Sequence, residues 1–215
     1  AVSINYRLGD SAWPQDLLDC KNAVSFLRAH QAEYPLDPQR IAVAGGSAGG
    51  HLSLMVGFTT GKKEFEPDAP YPGVSSAVRC IINMYGITDL VTRDQVDAKG
   101  EPTATRKLMA RSLKAFNAAT DADAILRLAS PIHHVARNSP PVLTLHGRAD
   151  ATVDFPQAEK LVAVLQPLGV AHEEVFLDEV GHSFDWEKSG DKPLPRDLRP
   201  TALAFLAKHL GPPVK

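Results

Sequence analysis

The sequence predicts an α/β fold in which a mostly parallel sheet is covered by helices on both faces. Three observations predict it. Short apolar runs of strand length recur along the chain, helical stretches separate most of them, and one run enters a glycine-rich turn that opens directly into a helix.

The alternation Ala1-Val2-Ser3-Ile4-Asn5-Tyr6 predicts a strand at the first residue, and Arg7 to Asp10 leave it through turn-prone residues. Domains rarely begin inside a strand, and no methionine precedes this one. Upstream residues, including the first strands of the sheet, are therefore expected to be missing from this chain. Pro14 suits the first turn of a helix, and Leu17, Cys20, Val24 and Leu27 follow at helical spacing to give it one apolar face. Pro35 and Pro38 end that region.

Ile41-Ala42-Val43-Ala44 is the second strand. It meets Gly45-Gly46-Ser47-Ala48-Gly49-Gly50 and then a helix through about Phe58. Residues 61 to 76, rich in Pro, Gly and charge, predict a surface loop before a buried strand at Val78 to Tyr85. From Ile87 to Pro140 the pattern offers only weak helices, at about 104 to 117 and 121 to 129, and marks a candidate lid laid over the sheet. Val142 to His146 is the next strand, followed by a helix near 156 to 166 and a strand at 173 to 177. A final helix at about 196 to 209 carries Leu203, Phe205 and Leu206, with Leu210 just beyond it. The five strands fall within a single domain over residues 1 to 215.

Bulk composition fits that reading. The 215 residues are 44% apolar, and Lys+Arg number 23 against Asp+Glu 25, so neither sign of charge dominates. A balanced surface gives no electrostatic case for a nucleic acid partner. No apolar stretch reaches membrane-spanning length, and no basic segment followed by an apolar run opens the chain. Cys20 and Cys80 lack metal-ligand spacing and read as small buried hydrophobes, with a mutual disulfide left open. No cofactor or metal is expected. Oligomeric state and compartment stay open.

The turn at Gly45 to Gly49 fits GxSxG, in which a strained strand-to-helix corner exposes a serine among neighbours too small to collide with it. The bare pattern is weak, and a glycine-rich connection would satisfy it. The strand before and the helix after are the context that points to Ser47 as a nucleophile. The GKS/T ending of a phosphate-binding loop is absent.

A serine hydroxyl needs a base within hydrogen-bond reach and a third group to fix that base's tautomer. With this kind of turn the acid and then the histidine follow the serine along the chain. Asp150, in His146-Gly147-Arg148-Ala149-Asp150, lies in a loop after a strand, at the sheet edge where catalytic groups gather. It is the expected acid, with a capping role as the bland alternative and Asp154 as runner-up. His182, in Gly181-His182-Ser183-Phe184, follows the next strand and is the expected base, with Gly181 read as allowing a tight approach. His133 and His134 precede Asp150 and break the order, His146 reads as a structural contact, and His51 lies one helical turn after Ser47. The backbone N–H of Ala48, opening the helix, is the expected oxyanion donor.

With these residues in place, the sequence resembles the α/β-hydrolase superfamily, and within it the lipase/esterase group related to hormone-sensitive lipase and bacterial feruloyl and acetylxylan esterases of BD-FAE type. Besides Gly45 to Gly50, the phrases Ser3-Ile4-Asn5-Tyr6-Arg7-Leu8, Trp13-Pro14-Gln15-Asp16, Asp37 to Val43, Tyr85-Gly86-Ile87-Thr88-Asp89-Leu90, Ser130-Pro131-Ile132 and His146 to Asp150 carry the likeness. The resemblance implies an eight-stranded, mostly parallel sheet and cofactor-free hydrolysis of carboxylic esters, including acetyl or feruloyl esters of plant polysaccharide. It also implies an HGG-type loop ahead of residues 1 to 6 that completes the oxyanion hole, a loop this chain does not contain. Loss of one such donor costs about 10²- to 10³-fold in rate, so weak activity is expected of these residues alone. Relatives often carry Glu or Asp where this chain has Gly46. Two other readings share the fold, a prolyl-oligopeptidase-like serine peptidase and a catalytically silent binding module.

Overall fold

The computed structural model describes residues 1–9, 13–34, 36–93 and 122–212. Helix α1 (Gln15–Ala29) leads to strand β1 (Ala42–Gly46) and helix α2 (Ala48–Phe58). After a 3₁₀ turn at Lys63–Phe65 come β2 (Cys80–Met84), α3 (Ala122–Leu128) and a second 3₁₀ turn at Pro131–His134. The chain continues through β3 (Val142–Gly147), α4 (Pro156–Leu165), β4 (His172–Leu177) and a short hairpin of β5 (Lys188–Ser189) and β6 (Lys192–Pro193), then α5 (Arg199–Leu210).

Strands β1 to β4 form one sheet in chain order, and every pairing is parallel. Parallel neighbours need a crossover between them, and α2, α4 and the long 61 to 79 and 85 to 141 connections supply it. The strand period of two then sorts the side chains. Ile81 and Val142 point to a core shared with α1, α2 and α4, through Leu17, Val24, Leu52, Met55, Leu161 and Leu165. Cys80, Ile82, Met84, Leu143, Leu145, Val175 and Leu177 face the opposite core, closed by Leu198, Ala202 and Phe205 of the α5 region. Both faces are therefore covered, which is why β2 and β3 are buried at every position.

The structure departs from the sequence reading in several places. Residues 1 to 8 form no strand, and β1 pairs only with β2 among the described residues. The alternation at Val2 and Ile4 is real, but both side chains are exposed, and Val2, Ile4, Ile41 and Val43 line a groove of ≈ 340 Å³. Four strands of the main sheet are thus seen where five were expected. Leu203 faces solvent, because the buried side of α5 runs through Ala202 and Phe205 instead. The hairpin at 188 to 193 was not anticipated; its strands are only two residues long, too short for a periodic signal. The expected helix at 104 to 117 lies outside the described residues, and that at 121 to 129 appears as α3.

Both cysteines are free and buried, with burial pushing the Cys20 thiol to about 12 and that of Cys80 to about 11. They are inert core groups, not a disulfide. A charge also lies in the first core. The Lys21 side chain is fully buried, and its ammonium donates to Thr59 O and to Glu66 Oε1 at 3.0 and 2.8 Å, tying α1 to the end of α2 and the loop after it. Among the described residues, no helix is long and apolar enough to cross a membrane.

Candidate active site

Ser47 occupies the corner between β1 and α2 with φ 55 and ψ −119, a left-handed conformation that a residue with a Cβ adopts only under constraint. The constraints are visible. Its N–H donates to Met84 O at 3.0 Å, and its carbonyl accepts the first α2 bond from His51 N. The close packing explains the glycines. A Cβ on Gly45 would lie 2.3 Å from the backbone of Gly49, and one on Gly46 would lie 2.6 Å from the Tyr85 hydroxyl. That hydroxyl fills the space an acidic side chain at position 46 would need.

Serine at a helix N-cap normally turns its oxygen onto the helix N–H groups. Ser47 makes no such bond. Its Oγ stands 3.0 Å from His182 Nε2, across 135 residues of chain. The other nitrogen of that ring, Nδ1, lies 2.7 Å from Asp150 Oδ2. A carboxylate oxygen accepts, so Nδ1 carries the proton and Nε2 presents its lone pair to the Ser47 hydroxyl. The three residues expected from the sequence are brought into one hydrogen-bonded relay.

Asp150 follows β3 and its carboxyl group is fully buried. Oδ1 accepts the N–H groups of Thr152 at 2.8 Å and Val153 at 2.9 Å, so the carboxylate also caps its own turn. The capping role and the contact with His182 are thus both present, on different oxygens. Asp154 makes no contact with His182 and is solvent exposed. His182 retains 15% of its side-chain exposure, so one side of the relay is open to an incoming molecule.

Two loops after adjacent parallel strands deliver the acid and the base. The close approach between them falls at Gly147, where a Cβ would lie 2.1 Å from Val180 O. Gly181, expected to allow that approach, has room for a side chain, with nothing nearer than Ala149 O at 3.9 Å. Tyr85, with φ 40, was missed as part of the site. Its hydroxyl donates to Phe184 O at 2.8 Å, and its ring meets the His182 ring edgewise with centroids 4.9 Å apart. Its position after β2 and before a glycine was the available signal.

Ala48 is exposed at the first position of α2, where backbone N–H groups have no intrahelical partner and the helix dipole favours negative charge. His51, one turn on, gives its Nδ1–H to Ile87 O, and burial pushes it down to about 4. His134 sits far from the relay, with Nε2 donating to Leu128 O and Lys62 donating to Nδ1. Burial lowers it as well. No group of three or more His, Cys, Asp or Glu side chains that could hold a metal occurs among the described residues.

A family model described as BD-FAE matches residues 1–165. The chain belongs to the BD-FAE family. Among its similar relatives is the esterase LipC of Mycobacterium tuberculosis, 33% identical over 189 residues, covering 86% of this chain and 45% of LipC. Among solved structures, a truncated carbohydrate esterase from gut microbiota is similar at TM-score 0.78 and 25% identity, over 98% of this chain and 74% of that one. The propionate-bound esterase Est2 of Thermogutta terrifontis is similar at TM-score 0.74 and 26% identity, over 98% and 72% respectively. The BD-FAE chain described here therefore has the α/β-hydrolase fold. It spans less than half the length of the curated relatives it matches.

Proposed function

We propose that this chain carries the catalytic residues of a serine carboxylic-ester hydrolase, with Ser47 as nucleophile, His182 as general base and Asp150 orienting that base. The observation that carries this reading is the relay itself. The Ser47 Oγ is withheld from its helix and aimed at the unprotonated nitrogen of a histidine whose other nitrogen is held by a buried carboxylate.

The chemistry follows from where charge develops. As Oγ attacks an ester carbonyl, its proton passes to His182 Nε2, and Asp150 Oδ2 stabilises the imidazolium through Nδ1–H. The carbonyl oxygen becomes an oxyanion, and the free N–H of Ala48 at the positive end of α2 is the donor this chain offers to it. Collapse breaks the bond to the alcohol oxygen, which takes the proton from Nε2 and departs. Water then gives a proton to Nε2 and attacks the acyl-Ser47 ester, releasing the carboxylic acid and restoring Ser47.

Small acyl esters are the proposed substrates, with acetyl or feruloyl groups on plant polysaccharide as the specific class. Support comes from the family and from similar structures named as a carbohydrate esterase and as a propionate-bound esterase. The test is turnover of p-nitrophenyl acetate by the protein with and without Ser47→Ala. A fall to the uncatalysed rate is expected, and equal rates in the two proteins defeat the proposal.

A further inference from the structure

His146 is the penultimate residue of β3, four residues before Asp150, and its side chain is completely buried. Burial is the main influence on the ring and, with His182, pushes its pKa down, against the hydrogen bond to Val153 O and the charges of Asp150 and Asp154, which favour protonation. His146 Nε2 lies 2.8 Å from Val153 O and 3.4 Å from Asp150 Oδ2, whereas Nδ1 is buried without a hydrogen-bond partner. A carbonyl oxygen only accepts, so Nε2 carries a proton directed at the acid turn, while Nδ1, buried with no acceptor, is left as the unprotonated nitrogen of a neutral ring.

An orphaned buried nitrogen is a cost that leucine or phenylalanine would avoid at this position, where the ring already packs edgewise near Phe155 at 6.0 Å. What the imidazole adds is one N–H bonded to the Val153 carbonyl, with Asp150 Oδ2 close beside it at 3.4 Å. Val153 is its main partner, and Val153 is also the residue whose N–H holds Asp150 Oδ1. Both polar backbone groups of Val153 are thus committed, one to the carboxylate and one to His146. The second oxygen within reach, Asp150 Oδ2, is the one that receives His182 Nδ1–H.

We infer that His146 is a positioning residue for Asp150: its neutral Nε2–H fixes the Val153 carbonyl, flanks Oδ2, and through that turn keeps the carboxylate aimed at His182. The inference rests on the reading of Ser47, Asp150 and His182 as a catalytic relay. The arrangement predicts that the acid loses its aim, not its fold, when the ring is replaced by an apolar one of similar size.

The test is nuclear magnetic resonance of the protein with labelled histidines, which needs no turnover and so fails separately from the ester-hydrolysis reading. In the unaltered protein, His146 is expected as the Nε2–H tautomer, and the proton between His182 Nδ1 and Asp150 as a sharp downfield line. His146→Phe should broaden or remove that line and lower kcat about tenfold with KM unchanged, because loss of alignment acts on the chemical step. His146→Gln, which keeps an N–H donor, should restore much of both. An unchanged downfield line in folded His146→Phe overturns the inference. Should that variant not fold, the tautomer decides, since an Nδ1–H or doubly protonated His146 in the unaltered protein is equally incompatible with it.

Discussion

His182 Nδ1 meets Asp150 Oδ2 at 2.7 Å, while the other oxygen of the same carboxylate is held by the Thr152 and Val153 N–H groups. The turn fixes which oxygen faces the histidine. In Asp150→Asn the amide oxygen stays with the two backbone donors, so the NH₂ faces His182 and forces the opposite tautomer. Nε2 then carries a proton and cannot accept one from Ser47. A loss in kcat of about 10³- to 10⁴-fold is expected, with the urea midpoint little changed, because the capping bonds survive. Steady-state kinetics and urea unfolding of one preparation check both halves.

Gly147→Ala should be costly and Gly181→Ala close to neutral. The first Cβ would meet Val180 O at 2.1 Å, and neither partner is a flexible side chain that could move aside. Overpacking of this kind costs about 1 to 3 kcal/mol, and here it also pushes apart the two loops that carry Asp150 and His182. Urea midpoints and activity should fall together in Gly147→Ala, while Gly181→Ala stays within error of the parent.

Removing the acid that faces Lys21 should destabilise more than removing Lys21 itself. Glu66→Ala leaves a fully buried ammonium with only Thr59 O, whereas Lys21→Met leaves a carboxylate that is 29% exposed and still accepts from Ser76 Oγ and Gly61 N. A cost of about 3 kcal/mol is expected for Glu66→Ala, the lower end for a broken buried pair, since water reaches the vacated site. Chemical denaturation of the two single variants gives the comparison.

The buried His134 and His146 and the half-buried His51 are all pushed down by desolvation, His51 from 6.5 to about 4. The unfolded chain therefore binds more protons than the native one below about pH 6.5, and stability falls as the pH drops from there toward 4. Unfolding midpoints across that window should decline. His51→Asn, whose amide can still donate toward Ile87 O, should flatten the decline.

Much of the site was legible because its signals are local. Gly45 to Gly49 between a strand and a helix marked Ser47, and β2 and β3 showed as apolar runs because the sheet is buried on both faces there. Chain order then selected Asp150 and His182. What escaped depends on contacts made across the fold. Lys21 sits on the buried face of α1 with Leu17 and Val24, at the spacing that puts it inside, but its charge marks it as a surface residue. Buried Gln157 accepts from Thr88 N and Asp89 N through its side-chain oxygen, a bond spanning 69 and 68 residues that no spacing announces. Residues 1 to 6 carry a strand's alternation without a strand's pairing, since pattern reports which side chains alternate and not whether a neighbour supplies hydrogen bonds.

The central claim is that acyl transfer passes through Ser47 Oγ. The most direct measurement is rapid acid quench of the protein during p-nitrophenyl acetate turnover, followed by peptide mass spectrometry. The account predicts one acetyl group on the peptide bearing Ser47, lost on longer incubation and absent in Ser47→Ala, together with that variant's turnover. Turnover that continues undiminished in Ser47→Ala, with Ser47 never acetylated in the parent, would contradict it.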